Sequence, residues 1–274
     1  MFTKKPSLII IFYGIGRNPK SVIKNLNLIK KNLQCSYEIT SAYAINKIKY
    51  INNPRTNEFN YLNQKELKRS LTFIDIFFEK DQEIFEESFK KIINKFNKNF
   101  IDPYNDKNRT LCNLYCQLNL LTEFLKLKSI KKYQLIFTIR DDIIINKYFG
   151  LFRMSKLLFK YPKHALTTSY HWHNGVNDRI LIFGQNSRKI FSLRLKKYKE
   201  ALKDNSFSNS EKINMEALKS MGIKIISSPF EVLRVRSNGK IRKEIFLIRF
   251  YRINETIRVF KSIILYLKIL IFRK

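Results

Sequence analysis

The sequence predicts an α/β fold: a central mixed, mostly parallel sheet flanked by helices, with a basic amphipathic helix closing the chain. Three observations predict it. Residues 8–13 (LIIIFY) and 135–139 (LIFTI) are apolar at nearly every position, as strands buried on both faces are. Segments with helical spacing of apolar residues follow or precede such runs. Polar or glycine-bearing loops stand where the runs end, at residues 14–17, 140–142 and 171–179. In open α/β sheets the carboxyl ends of the strands are where ligands bind.

The elements follow in order. Residues 8–13 form the first strand, and Gly14-Ile15-Gly16-Arg17 turns the chain. Asn18 suits a helix cap and Pro19 a first helical turn. Helix 20–33 buries Val22, Ile23, Leu26, Ile29 and Leu33. Residues 37–45 make a second strand. The stretch 46–70 is polar, with a loop at Asn52-Asn53-Pro54-Arg55. Residues 81–96 read as an amphipathic helix whose acidic start suits the helix dipole. Residues 109–127 form a long helix, with Leu111, Leu114, Tyr115, Leu118, Leu121, Phe124 and Leu125 on one side. It leads into the strand that ends in Arg140, Asp141 and Asp142. A short apolar segment (143–149), a helix (151–159) and strands at 164–170 and 179–184 come next. Helices at 187–202 and 209–221 and strands at 222–227 and 230–236 complete the domain, taken as residues 1–245. Residues 246–274 form a tail. In it Ile257, Phe260, Ile263, Ile264, Leu267, Leu270 and Ile271 recur at helical spacing among basic residues. Its apolar core is about half the length a bilayer span needs. The tail suits either an anionic membrane surface or docking on its own domain.

Composition narrows the classes. With 274 residues, 45% of them hydrophobic, the chain can bury a sizeable core and is not disordered. Gly (7) and Pro (6) are scarce, which excludes collagenous and linker-like architectures, and there is no internal repeat. The net charge of +31 favours polyanions: nucleic acid, anionic membrane or phosphorylated small molecules. Yet the basic residues are dispersed, and an AT-rich coding bias would enrich Lys, Ile, Asn, Phe and Tyr in the same way. Cys35, Cys112 and Cys116 lack zinc-binding spacing. Their odd number, with no signal peptide, suggests a reducing cytoplasm.

The chemistry centres on Arg140-Asp141-Asp142. Carboxylates at a strand end can hold a divalent metal, and an arginine beside them can hold phosphate oxygens; on residue types alone the plainer reading is a strand followed by a solvated charged turn. Gly14 and Gly16 let a backbone approach a ligand, and the helix start behind Arg17 offers N–H groups to phosphate; a tight structural turn reads equally well. Loop 171–179 holds the single Trp and two of the three His. His171 and His173 lack a third ligand at a recognisable spacing, so they read as substrate-facing or loop hydrogen-bonders. Trp172 can stack on a sugar or base face, or cover the core. Arg234 and Arg236 alternate with Val235 on a strand and face either phosphate or, as the plainer reading, solvent. There is no GxSxG elbow and no cysteine-nucleophile signature.

The chain resembles the bacterial and viral sugar transferases of polysaccharide synthesis that have a GT-A-type, Rossmann-like nucleotide-sugar-binding fold. The resemblance runs over residues 8–240. It rests on YGIGRNPKS, on IRDD (similar to that family's Arg-x-Asp), on GVNDRILIFG (similar to its G-x-N-D-R segment), on NSEKINMEALKSMGIKI and on FEVLRVRSNG. It implies glycosyl transfer from a nucleotide sugar to a glycan or lipid-linked acceptor, assisted by Mn²⁺ or Mg²⁺. Asp142 would be the metal carboxylate and Asp141 its assistant. Gly14, Gly16, Arg17 and Arg140 would lie against the donor nucleotide and its phosphates. Trp172, His173 and Asn177 would lie on the acceptor side. Asp178 would be the catalytic base, with Glu211 a second candidate. Each has a plainer reading: Asp178-Arg179 as an ion pair ordering a loop, Glu211 as part of a helix cap. The alternative function is nucleic-acid binding through a basic, aromatic-rich surface.

Overall fold

The computed structural model describes residues 5–53, 58–96, 100–148, 151–158, 161–169, 175–207 and 209–243, with isolated positions between 257 and 268. In chain order the elements are β1 (Ser7–Gly14), α1 (Pro19–Leu33), β2 (Glu38–Lys47), β3 (Tyr50–Asn53), β4 (Glu58–Tyr61), α2 (Gln64–Ser70), β5 (Ile76–Asp81), α3 (Gln82–Phe96) and α4 (Arg109–Lys126). Then come β6 (Leu135–Arg140), β7 (Ile143–Lys147), α5 (Leu151–Leu158), β8 (His164–Thr168), β9 (Ile180–Gly184), α6 (Ile190–Lys203), α7 (Ser210–Ser220), β10 (Lys224–Ser228), β11 (Glu231–Val235) and β12 (Ile241–Lys243).

Seven strands form the central sheet in the order β10-β8-β9-β6-β1-β2-β5. β1 pairs in parallel with β2 on one side and β6 on the other. β5 and β10 also add in parallel, while β9 runs against both β6 and β8. Six of the seven strands therefore share one direction, which is the mixed, mostly parallel sheet that the apolar runs predict.

The period of two in β1 divides its apolar run between two cores. Leu8, Ile10 and Phe12 join α1 and α5, with Tyr43 and Ile45 of β2. Ile9, Ile11 and Tyr13 join α3, α4, α6 and α7, with Ala42 and Ala44. The sheet is thus the middle of three layers. α1 begins as its sequence dictates: the Asn18 side chain accepts the Ser21 N–H at 3.1 Å and Pro19 opens the first turn.

Two features differ from the sequence reading. β5 lies just ahead of the helix start expected at residue 81, where no element was expected. It is a half-buried edge strand, and its charged Glu79-Lys80-Asp81 end blunts the edge while looking like an acidic helix start. The polar stretch 46–70 holds the β3–β4 hairpin and α2. A second small sheet, β12-β11-β7, starts immediately after Asp142. The expected domain boundary at 245/246 and most of the tail lie outside the described residues.

Candidate functional site

Because β1 and β6 are parallel and β9 opposes them, the end of β1, the end of β6 and the start of β9 meet at one sheet edge. Backbone hydrogen bonds fasten them: Arg140 N–H donates to the Arg179 carbonyl and Asp141 N–H to the Tyr13 carbonyl, both at 2.9 Å. The described parts of the three loops singled out in the sequence, residues 14–17, 140–142 and 175–179, therefore converge.

Asp141 holds the glycine turn. Its Oδ2 accepts from the Gly16 N–H at 2.8 Å, the Arg17 N–H at 3.2 Å and the Tyr43 hydroxyl at 2.9 Å. The Ser21 hydroxyl donates to its carbonyl. A Cβ on Gly14 would sit 2.2 Å from Asp141 Oδ1, so glycine is what lets this carboxyl lie against the strand end. Burial first, then Asp142, pushes the Asp141 carboxyl above the usual carboxylate range, against Arg17 and Tyr43. The Gly16 and Arg17 amides, expected to face a phosphate, are thus engaged by a side chain of the protein. One turn further along α1, Asn25 grips β7 at both ends of its amide, donating to the Ile143 carbonyl at 2.6 Å and accepting the Ile145 N–H at 2.9 Å.

Asp142 is the hub of a guanidinium cluster. Arg140 donates to it through both edges of one fork, Nε to Oδ1 at 3.0 Å and Nη2 to Oδ2 at 2.6 Å. Arg234 Nε donates to Oδ2 at 3.1 Å, and Arg17 Nη1 lies 3.5 Å away. Burial opposes the Asp142 charge, but Arg140, Arg234, Arg17 and Arg179 outweigh it and hold the carboxyl far below its usual range. Arg17 also reaches Glu58 at 3.8 Å. Glu58, fully buried on the β3–β4 hairpin, accepts from Arg236 Nη1 at 3.2 Å and the Ser237 N–H at 2.8 Å. Burial first, and then Arg140, Arg179 and Arg236, bring Arg234 down to about 10 despite Asp142.

The second group lies on the α6–α7 side. Asn177 is buried and its side chain accepts the Arg179 and Ile180 N–H groups at 3.0 and 3.3 Å, shaping the turn into β9. Asn214 of α7 donates to the Asn177 carbonyl at 3.0 Å. Asp178 Oδ2 lies 3.7 Å from Arg194 Nη2, and its carbonyl accepts the Tyr13 hydroxyl at 2.8 Å. Glu211 Oε1 lies 3.8 Å from Arg179 Nη2, and Ser210 donates to its Oε2 at 3.3 Å. The two carboxyls diverge. Burial raises both, but Arg179, Arg194 and Arg140 bring Asp178 to about 2. Burial and then Asp178 push Glu211 up to about 7. Such a split is how neighbouring carboxyls take separate proton roles. Trp172 and His173 lie outside the described residues.

The donor set does not fit the divalent metal that the resemblance implies. Among the described residues no group of three His, Cys, Asp or Glu side chains could hold a metal ion. Both oxygens of Asp142 accept guanidinium hydrogen bonds, and Oδ2 of Asp141 is taken by the Gly16 and Arg17 amides and the Tyr43 hydroxyl.

Sequence reasoning missed Glu58, Arg194 and Tyr43, and for Arg234 and Arg236 preferred solvent to phosphate. The alternation of Arg234 and Arg236 does put them on one strand face. Which face required the pairing of β11 with β7, the strand that follows Asp142.

No family model and no curated protein matches the chain. Among solved structures, it is similar to the mannosyltransferase Ktr4p from S. cerevisiae, at 9% identity and a TM-score of 0.48, over 83% of this chain and 70% of that one. It is similar to core-mannan synthase A from Aspergillus fumigatus in its Mn/GDP form, at 9% identity and a TM-score of 0.46, over 94% and 84%. It is also similar to the galactosyltransferase LgtC in complex with donor and acceptor sugar analogues, at 11% identity and a TM-score of 0.43, over 80% and 73%.

Proposed function

We propose that the chain is a glycosyltransferase that moves a sugar from a nucleotide-sugar donor to a hydroxyl of a glycan or lipid-linked acceptor. The observation that carries this reading is the convergence of Arg17, Arg140 and Arg234 on the single carboxylate of Asp142 at the carboxyl edge of the sheet. Guanidinium forks match phosphate oxygens, and a strand-end crevice is where an α/β sheet takes a nucleotide.

In this reading Arg17, Arg140 and Arg234 hold the donor diphosphate. Glu211, with a carboxyl near 7, accepts the proton of the acceptor hydroxyl. The acceptor oxygen forms its bond to the anomeric carbon as the bond from that carbon to the phosphate oxygen breaks. The electron pair leaves with the nucleoside diphosphate, whose negative charge the guanidiniums stabilise. Asp178 stays ionised and keeps Arg194 in position. The exposed Ile257, Phe260, Ile264 and Leu267 of the tail support a contact with an anionic membrane that would bring a lipid-linked acceptor to the site.

The test is thermal stability against a panel of nucleotides, nucleotide sugars and short oligonucleotides. A ligand at about 100 times its Kd stabilises by about 2.7 kcal/mol, a rise in Tm of about 5–10 °C for a chain of this size. A rise with one nucleotide and its sugar conjugate is expected. A rise with oligonucleotides alone would replace this reading with the nucleic-acid one.

A further inference from the structure

We infer that this site neutralises the donor diphosphate with guanidinium groups and takes no divalent metal for binding. The inference rests on the donor reading above and adds the identity of the counter-charge. Its ground is the order in which an incoming group meets the side chains. The Asp142 side chain is 1% exposed, while those of Arg17, Arg140 and Arg234 around it are 13%, 13% and 22% exposed. The cations form the outer wall and the carboxylate sits behind them. A metal-binding strand end needs the reverse, with carboxylate oxygens outermost and unopposed.

The charge count agrees. Arg17, Arg140, Arg234 and Arg236 share two carboxylates, Asp142 and Glu58, through the pairs described above. These pairs leave two positive charges over, or one where the neighbouring Asp141 carboxyl is ionised as well, and an anion rather than a cation answers the excess. Among the described residues, Arg17 Nε is buried without a hydrogen-bond partner, so this fork has donor capacity to give. The neighbouring arginines that help bring Arg234 down express the same crowding of positive charge. A diphosphate would relieve it, whereas a divalent cation would add to it. Asp142, in this arrangement, aligns the guanidiniums as a phosphate-binding surface.

The experiment is calorimetric titration of the full chain with UDP, GDP, ADP and CDP, each with EDTA and then with Mn²⁺. The expected result is one nucleotide whose Kd changes by less than about threefold between the two conditions. Arg234→Gln, and separately Arg17→Gln, should weaken it by about tenfold or more in both. Binding that appears with Mn²⁺ and vanishes in EDTA would overturn the inference and leave the donor reading standing. Unchanged affinity in both folded variants would also overturn it. No binding of any nucleotide in either condition would overturn the inference and the donor reading together.

Discussion

Arg140 and Asp142, two residues apart at the end of β6, form a two-point pair through Arg140 Nε–Oδ1 at 3.0 Å and Nη2–Oδ2 at 2.6 Å. The geometry is local, but its consequence is not. By fixing one carboxylate at the strand end it gives Arg234, 92 residues further along the chain, a partner, and so ties the small β12-β11-β7 sheet to the edge of the large one. Asp142 and Arg234 are also joined through the backbone, since the Val235 N–H donates to the Asp142 carbonyl at 2.7 Å.

Replacing Asp142 by Asn should therefore destabilise the protein as well as disturb the site. Removing one partner of a buried ion pair leaves the other uncompensated and costs about 3–5 kcal/mol. The pH dependence fixes the cause. The folded Asp142 carboxyl is depressed, so its stabilisation is fully present above the unfolded value of about 4 and is lost as pH falls below it. Urea denaturation of both proteins should show a gap at neutral pH that narrows through the acid range. A gap independent of pH would mean that the loss is one of shape and not of charge.

The sequence legible here was that of continuous or strongly periodic segments. β1 and β6 declared themselves because they are buried on both faces, and α1 and α4 because one face repeats. β5 did not, because its apolar half is only Ile76-Phe77-Phe78 and its charged half runs straight into the helix that follows. At the site, Arg140, Asp141 and Asp142 were visible as a cluster since they are adjacent. Glu58 was not, because the groups it meets include Arg17 and, 178 and 179 residues away, Arg236 and the Ser237 N–H, and nothing in a polar hairpin announces them. Arg140 and Asp142 show charge and counter-charge together in the sequence, whereas the distant partners Arg234 and Arg236 belong to the topology.

Glu211 should make the chain less stable as pH rises. Its folded carboxyl is raised to about 7 from an ordinary 4.5 by burial and by Asp178. The folded state thus holds a proton more tightly than the unfolded state does. Stability is full below about pH 4.5 and falls as pH climbs toward 7, by a few kcal/mol in all. Glu211→Gln removes this slope, so the variant should gain on the wild type between pH 5 and 8. If Glu211 is also the base, the variant should keep nucleotide affinity while turnover falls by about 100-fold or more, and wild-type turnover should rise through an apparent pKa near 7. Full turnover in Glu211→Gln would transfer the base role to another residue.

Gly175 should tolerate no side chain. A Cβ there would lie 1.9 Å from the Glu211 carbonyl carbon and 2.3 Å from the Lys212 nitrogen, and helix backbone cannot move aside as a side chain can. The Val176 N–H donates to the Glu211 carbonyl at 2.9 Å just beside it, so pushing the loop away breaks that bond too. Gly175→Ala should cost about 2–3 kcal/mol in urea denaturation. It should also separate Arg179 from Glu211, altering the pH slope described above. A variant as stable as wild type would mean that the loop has room the backbone contacts deny.

Gly14 faces a different obstacle, and the difference is testable. Its absent Cβ would meet the Asp141 carboxyl, 2.2 Å from Oδ1 and 2.3 Å from Cγ. Gly14→Ala must displace that carboxyl from the Gly16 N–H and the Tyr43 hydroxyl, an expected loss of about 1–3 kcal/mol. The φ of +157° strains any side chain there as well, but the part of the obstacle that is the Asp141 side chain can be deleted. In an Asp141→Ala background Gly14→Ala should cost at least about 1 kcal/mol less than in the wild type, since the two substitutions remove the same contact. Additive losses across the four proteins of this cycle would sever the link between the glycine and the carboxyl, and Gly14 would then be needed for its backbone alone.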